Sequence, residues 1–151
     1  MASTVSSSPL FLTVTEKINL NGSEHGSTTK VKIEGINEIS KRILTVSTTP
    51  GTQIYSGSDN TSVYGTFVTD NVKYIRAKNL DDTNYVILHL EGNSHYSQVK
   101  VNPGNVFFLT SVSGSFDNAS VVGSFSAENI TRIDAMANTA ACDIEIVVAS
   151  T

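Results

Sequence analysis

The chain has 151 residues, a formal net charge of −4 and a single cysteine, Cys142; this predicts one domain with its own core and excludes an internal disulfide framework or a multi-cysteine zinc site. The ten Lys and Arg are scattered, with no run longer than Lys41-Arg42, which excludes the basic stripe that a nucleic-acid binder sets against phosphates. Charged residues are only 16% of the chain against a globular norm of about 25%, and about a third of the residues are Ser, Thr or Asn, a composition suited to strands and the turns between them.

Residues 1–9 are small and polar and predict a flexible arm that orders only against something else, followed by a single domain over 10–151. The N-terminal stretch has no charged n-region and only Leu10-Phe11-Leu12 as a continuous apolar run, which predicts neither a signal peptide nor a membrane span. Short β-like runs then recur. "LFLTVT" comes first, and "KVKIEG" alternates Val31 and Ile33 against Lys30, Lys32 and Glu34. "ISKRILTVST" ends at Pro50-Gly51, a dipeptide that suits a type II turn. "TQIYS" and "SVYGTFVT" flank a loop around Gly57-Ser58-Asp59-Asn60.

"VKYIRAKN", "NYVILHL", "YSQVKV" and "VFFLTS" follow, and "NITRIDAMA" and "CDIEIVVA" close the chain. "SAENITRIDAMA" could also be read as a helix capped by Ser126, with Ile130, Ile133 and Ala137 on one side. Its Ile and Thr content and short length favour strand. The pattern as a whole predicts an all-β chain: an antiparallel β-sandwich or jelly roll of roughly eight to eleven short strands, with little or no helix.

Two strands carry apolar groups on both faces. "YVILHL" sets Val86, Leu88 and Leu90 against Tyr85 and Ile87, and in "NVFFLTS" Phe107 and Phe108 point opposite ways. Such strands are central to a thick core or covered by another subunit. The interface candidates are therefore Pro9 in the arm, Tyr85, Ile87 and His89 on one strand, and Phe107 and Phe108 on the other.

The remaining chemistry reads as structural. Asp81-Asp82-Thr83-Asn84 are consecutive and lack the spaced ligands and Gly of a calcium loop, whereas Asp, Thr and Asn bond their own backbone in tight turns. His89, Glu91 and His95 raise a metal question. A II′ turn with Gly92-Asn93 at its centre would pair His89 with Tyr96 and Leu90 with His95, so the two histidines would face opposite ways; a three-residue loop would instead put His89, Glu91 and His95 on one face, and the tighter turn is favoured. His25 falls in a loop. No Gly-x-Ser-x-Gly elbow or phosphate-cradling loop occurs, and Cys142 reads as a small, partly buried residue. No enzyme, cofactor or metal is expected. The sequons at Asn21, Asn60, Asn118 and Asn129 are read as chance in an Asn- and Ser-rich chain. A carbohydrate site would have to use Tyr55, Tyr64, Tyr74, Tyr85 or Tyr96, because the chain has no Trp.

The segments Thr66 to Ser111 and Ile130 to Ala149, with "INEISKRILTV" at Ile36 to Val46, resemble small β-rich virion structural proteins of tailed bacteriophages, marine cyanophages among them. The shared features are a Tyr-Ile-x-x-x-Asn strand, a polar bend, an apolar strand, an x-Pro-Gly turn before an aromatic strand, and a closing hairpin. The resemblance implies a non-enzymatic virion component, foremost a capsid decoration or cement protein. It implies the major capsid protein and other copies of itself as partners, with neither nucleic acid nor membrane, and localisation in the virion. A tail or head–tail-junction component, or a carbohydrate-binding sandwich that recognises a host, is the alternative.

Overall fold

A computed structural model describes residues 5–58, 66–110 and 128–151, together with the backbone of Ser113 and Gly114. The readings at Asn60, Tyr64, Asn118 and Ser126 lie outside the described residues. Among the described residues the strands are, in chain order, β1 (Ser8–Glu16), β2 (Asn19–Leu20), β3 (Ser23–Glu24), β4 (Ser27–Ile36), β5 (Glu38–Val46), β6 (Thr52–Ser58) and β7 (Phe67–Val68). They continue with β8 (Val72–Asn79), β9 (Val86–Glu91), β10 (Tyr96–Val101), β11 (Val106–Leu109), β12 (Ser113–Gly114), β13 (Glu128–Asn129), β14 (Arg132–Ala137) and β15 (Cys142–Ser150). One 3₁₀ turn, Thr69–Asn71, precedes β8. The all-β expectation holds.

Where the sequence reads as one domain from residue 10, the chain divides into two compact units, residues 1–37 with Thr151, and residues 38–150. Of the expected arm, Ser8 and Pro9 stand in β1, and residues 1–4 lie outside the described residues.

The first unit is a long antiparallel hairpin. β1 pairs with β4 from Leu10↔Ile33 to Glu16↔Ser27, and β2 with β3 at the tip. The reversal is Asn21-Gly22, both at positive φ (52° and 80°), the pair a type I′ turn requires. Leu10, Leu12 and Val14 share a face with Val31 and Ile33, because directly paired residues point the same way. Lys30, Lys32 and Phe11 occupy the other face, with the Lys32 ammonium 5.9 Å from the Phe11 ring centre. No residue of β1 or β4 is fully buried.

Among the described residues the second unit holds, besides the short pair β12–β13, two larger sheets. One has the order β10-β9-β14-β6-β7 and the other β11-β8-β15-β5. Every pairing in them is antiparallel except β6 with β7, which is parallel. Their inner faces share one core: Val86, Leu88 and Leu90 from β9, Ile133, Ala135 and Ala137 from β14, and Ile54 and Tyr55 from β6 meet Ile75 and Ala77 from β8 and Ile144, Ile146 and Val148 from β15. A register shift between Ile133 and Asp134 leaves Ile54 as the extra residue on β6. Both Ile54 and Tyr55 are buried there, as a bulge permits. Tyr55 stacks on Phe67 at 6.0 Å, and burial pushes its hydroxyl pKa up to about 12.

β14 settles the helix-or-strand ambiguity as strand. Ile133, Ala135 and Ala137 are buried at period two while Arg132, Asp134 and Met136 face outward, so the alternating pattern, with two neighbouring strands to pair with, outweighs the weak helical spacing. Pro50-Gly51 departs from expectation. The Thr49–Pro50 peptide is cis, and Gly51 lacks the positive φ that a type II turn demands. That turn occurs instead at Asn102-Pro103-Gly104-Asn105, where Gly104 has φ 69° and Asn105 N–H donates to Asn102 O at 3.0 Å.

Candidate functional site

The acidic bend is built as turn chemistry. Asp81 Oδ1 accepts the backbone N–H of Thr83 at 2.8 Å and that of Asn84. These two bonds, Asn84's first, hold the Asp81 carboxyl below its usual pKa. Beneath the bend lies Asn79, a fully buried amide at the end of β8. Its Nδ2 donates to Asn84 O at 2.7 Å and Val101 O at 3.3 Å, and its Oδ1 accepts Asp81 N–H at 3.1 Å. Gly104 N–H adds a bond to Asp81 O at 3.0 Å. One side chain thus ties the bend to the end of β10. In the sequence Asn79 stands only as the last residue of the Tyr-Ile-x-x-x-Asn strand, with no role assigned; its signal is an Asn at an inward position of a strand otherwise filled by Ile75 and Ala77.

The β9–β10 turn differs from expectation by a shift of two in register. Tyr96 pairs with Glu91 and Gln98 with His89, and Gly92 N–H donates to His95 O at 2.8 Å. Asn93-Ser94, not Gly92-Asn93, is therefore the centre of the turn. A Cβ on Gly92 would meet the Glu128 carboxylate, which would have to shift to make room. Glu128 accepts from His95 Nδ1 at 2.7 Å and lies 3.4 Å from Ser94 N. The His95 bond is the main cause holding the Glu128 carboxyl below its ordinary pKa. An even-numbered shift preserves parity, so His89 and His95 still diverge. Among the described residues no group of three or more His, Cys, Asp or Glu is placed to hold a metal ion.

The outer face of the β10-β9-β14-β6 sheet gathers three of the six interface candidates. Pairing lays it out as rows: Lys100–Ile87–Met136, then Gln98–His89–Asp134–Gln53, then Tyr96–Glu91–Arg132–Ser56. Ile87 and His89 are half-buried by these cross-strand neighbours. Tyr85, just before β9, lies under the Lys100 ammonium, 4.1 Å from its ring centre. His89 stacks on Tyr96 at 5.1 Å, and Tyr96 is 69% exposed. Arg132 clamps Asp134 through Nε at 3.0 Å and Nη2 at 2.8 Å, and this pairing raises the Arg132 pKa. Ile87, His89, Gln98, Asp134, Met136 and Gly51 line a shallow depression of about 180 Å³.

Phe107 and Phe108 stand on β11, in the other sheet of the second unit. β11 alternates, so Phe107 packs against the core while Phe108 is 41% exposed on the outer face of the second sheet. Phe107 is thus a partly buried, inward residue. Around Phe108 the outer face carries a charge chain across three strands: Glu145 of β15 takes Lys41 of β5 at 3.1 Å and Arg76 of β8. These partners, Lys41 first, hold the Glu145 carboxyl below its ordinary pKa. Pro9 is exposed on β1. Cys142 belongs to the core cluster, where burial raises its thiol pKa, and His89 faces outward from the other sheet. The tyrosines are dispersed: Tyr55 and Tyr74 are buried, Tyr85 is covered, and Tyr96 is exposed.

No family model matches the chain, and no curated protein or solved structure is significantly similar to it.

Proposed function

We propose that the protein is a non-enzymatic structural component of a tailed-phage particle, a decoration or cement protein that reinforces the capsid shell by covering apolar surface. The observation that carries this reading is the hairpin of residues 8–36. Strands of nine and ten residues reach about 30 Å, yet β1 and β4 bury no side chain fully, and Phe11, Ile18 and Leu20 are exposed. A two-stranded hairpin is marginal in water and gains stability by lying against another surface. Apolar area covered in that way stabilises by about 25 cal/mol per Å². The resemblance of Thr66 to Ser111 to phage virion proteins supplies the kind of surface. The test is mass spectrometry of purified particles. The reading expects this chain in a fixed ratio to the major capsid protein, and its absence from particles would end it. Recovery only with purified tails would move the protein to the tail or junction.

A second reading, host-glycan binding, has one observation in its favour: the Tyr96–His89 stack beside the depression that holds Gln98 and Asp134. Aromatic faces and planar amides are what a pyranose ring uses. A blank glycan array removes this reading.

A further inference from the structure

We propose that β10 is a self-pairing edge, through which two copies of the chain join their sheets antiparallel about a two-fold axis centred on Gln98. The inference gives self-association a specific surface, and it stands or falls independently of the capsid reading.

The backbone geometry comes first. Gly92 N–H donates to His95 O, so residues 92 and 95 form a hydrogen-bonded pair. Such pairs alternate with non-bonded ones along an antiparallel ladder. With the unbroken register of β9 and β10, Ser97, Val99 and Val101 direct their N–H and C=O groups at β9. Those of Tyr96, Gln98 and Lys100 point away from it. Among the described residues β10 is the edge of its sheet, so these six groups form an open template.

The register follows from the same parity. Pairing Gln98 with its own copy sets Tyr96 against Lys100 of the second copy, and Lys100 against Tyr96. All six outward groups then bond within the two β10 strands. The side chains agree. Each Lys100 ammonium and stem meets an exposed Tyr96 ring, a cation–π pair made twice by symmetry, and the two Gln98 amides face each other. No like charges are opposed. Shifting the centre to Val99 would put Tyr96 opposite Asn102, beyond the strand, and lose both cation–π pairs.

The opposite edge of the molecule's second sheet does not offer this. In β5, Arg42 points inward and donates from Nη2 to Ile54 O at 3.0 Å. A two-fold centred on the middle of that strand would set Arg42 against Arg42. An inward charge of this kind is a device that blocks edge pairing. β10 has no such device, and its outward positions are complementary to themselves.

The experiment is register-specific cross-linking of the purified full chain. Directly bonded residues across an antiparallel pair have Cα atoms about 5.5 Å apart, inside the range a disulfide spans. The native Cys142 is buried and does not compete. Oxidised Gln98→Cys should run as a covalent dimer, about twice the chain's 16.1 kDa, on a non-reducing gel. Tyr96→Cys and Lys100→Cys should stay monomeric separately and cross-link when mixed. Failure of Gln98→Cys to cross-link, or equal cross-linking of Tyr96→Cys with itself, overturns the proposal. Gln98→Pro provides a second arm, because the lost N–H faces away from β9 and an edge strand tolerates it there. The wild type should sediment as a dimer and Gln98→Pro as a monomer with an unchanged far-UV CD spectrum. A Gln98→Pro protein that sediments like the wild type also overturns it.

Discussion

Replacing Asn79 by Ala probes a fully buried amide. Asn79 is fully buried and makes three hydrogen bonds, to Asn84 O, Val101 O and Asp81 N–H. A typical buried hydrogen bond contributes about 1 kcal/mol net, and groups left unpaired raise the loss, so the substitution should cost about 3 kcal/mol. For a chain of this length that corresponds to a fall of roughly 6–12 °C in melting temperature. Thr83→Ala, in the exposed part of the same bend, removes only a hydroxyl bond to Asp82 at 2.8 Å and should change stability by less than about 0.5 kcal/mol. Urea titration with both variants against the wild type decides the matter, read from the midpoint at constant slope. An Asn79→Ala loss below about 1 kcal/mol would refute the claim that this amide ties the bend to the end of β10.

Glu145 gives a pH dependence. Its folded pKa lies below its ordinary 4.5 through Lys41 and Arg76, so its contribution is present above about 4.5 and disappears as pH falls through the lower folded value. Glu145→Gln should flatten the stability–pH curve in that acid window, and an unchanged slope in denaturant titrations across it would contradict the pairing. Gly57→Ala should destabilise by about 1–3 kcal/mol, because its Cβ would stand 2.6 Å from Tyr55 Oη and 2.7 Å from Thr69 Cγ2; calorimetry showing no loss would rule out that close packing. Phe107→Ala should cost more stability than Phe108→Ala, since only Phe107 packs on the core; equal losses on denaturation would contradict the alternation of β11.

The sheets were legible because their signal is local. Ile144, Ile146 and Val148 alternate with Asp143 and Glu145, and the structure buries the first set. Asp81-Asp82-Thr83-Asn84 was legible for the same reason, since an Asx bond closes within three residues. Register was harder. The β9–β10 turn is bridged by Glu128, 33 residues beyond His95, a contact that no local pattern reports. The hairpin tip, by contrast, was announced by Asn21-Gly22 and passed over because its flanks, Leu20 and Ser23, are too short a run to alternate visibly. Phe107 and Phe108 were read as pointing opposite ways, but which one faces the core is fixed by the pairing of Phe107 with Ala77 and Phe108 with Arg76. Asn79 could not be valued from sequence, because its partners are the carbonyls of Asn84 and Val101 brought together only by folding.

Binding to the shell tests the central claim most directly. Purified protein should be titrated against capsid shells lacking it, with bound protein measured by co-sedimentation, for the wild type and for a Phe11→Ser, Ile18→Ser, Leu20→Ser variant. These three side chains are 70%, 54% and 58% exposed, so the variant should keep the wild-type far-UV CD spectrum. The account predicts saturable binding of the wild type at a fixed ratio to the major capsid protein, and its loss in the variant. Wild-type protein that stays in the supernatant, or a variant that binds equally well, would contradict it.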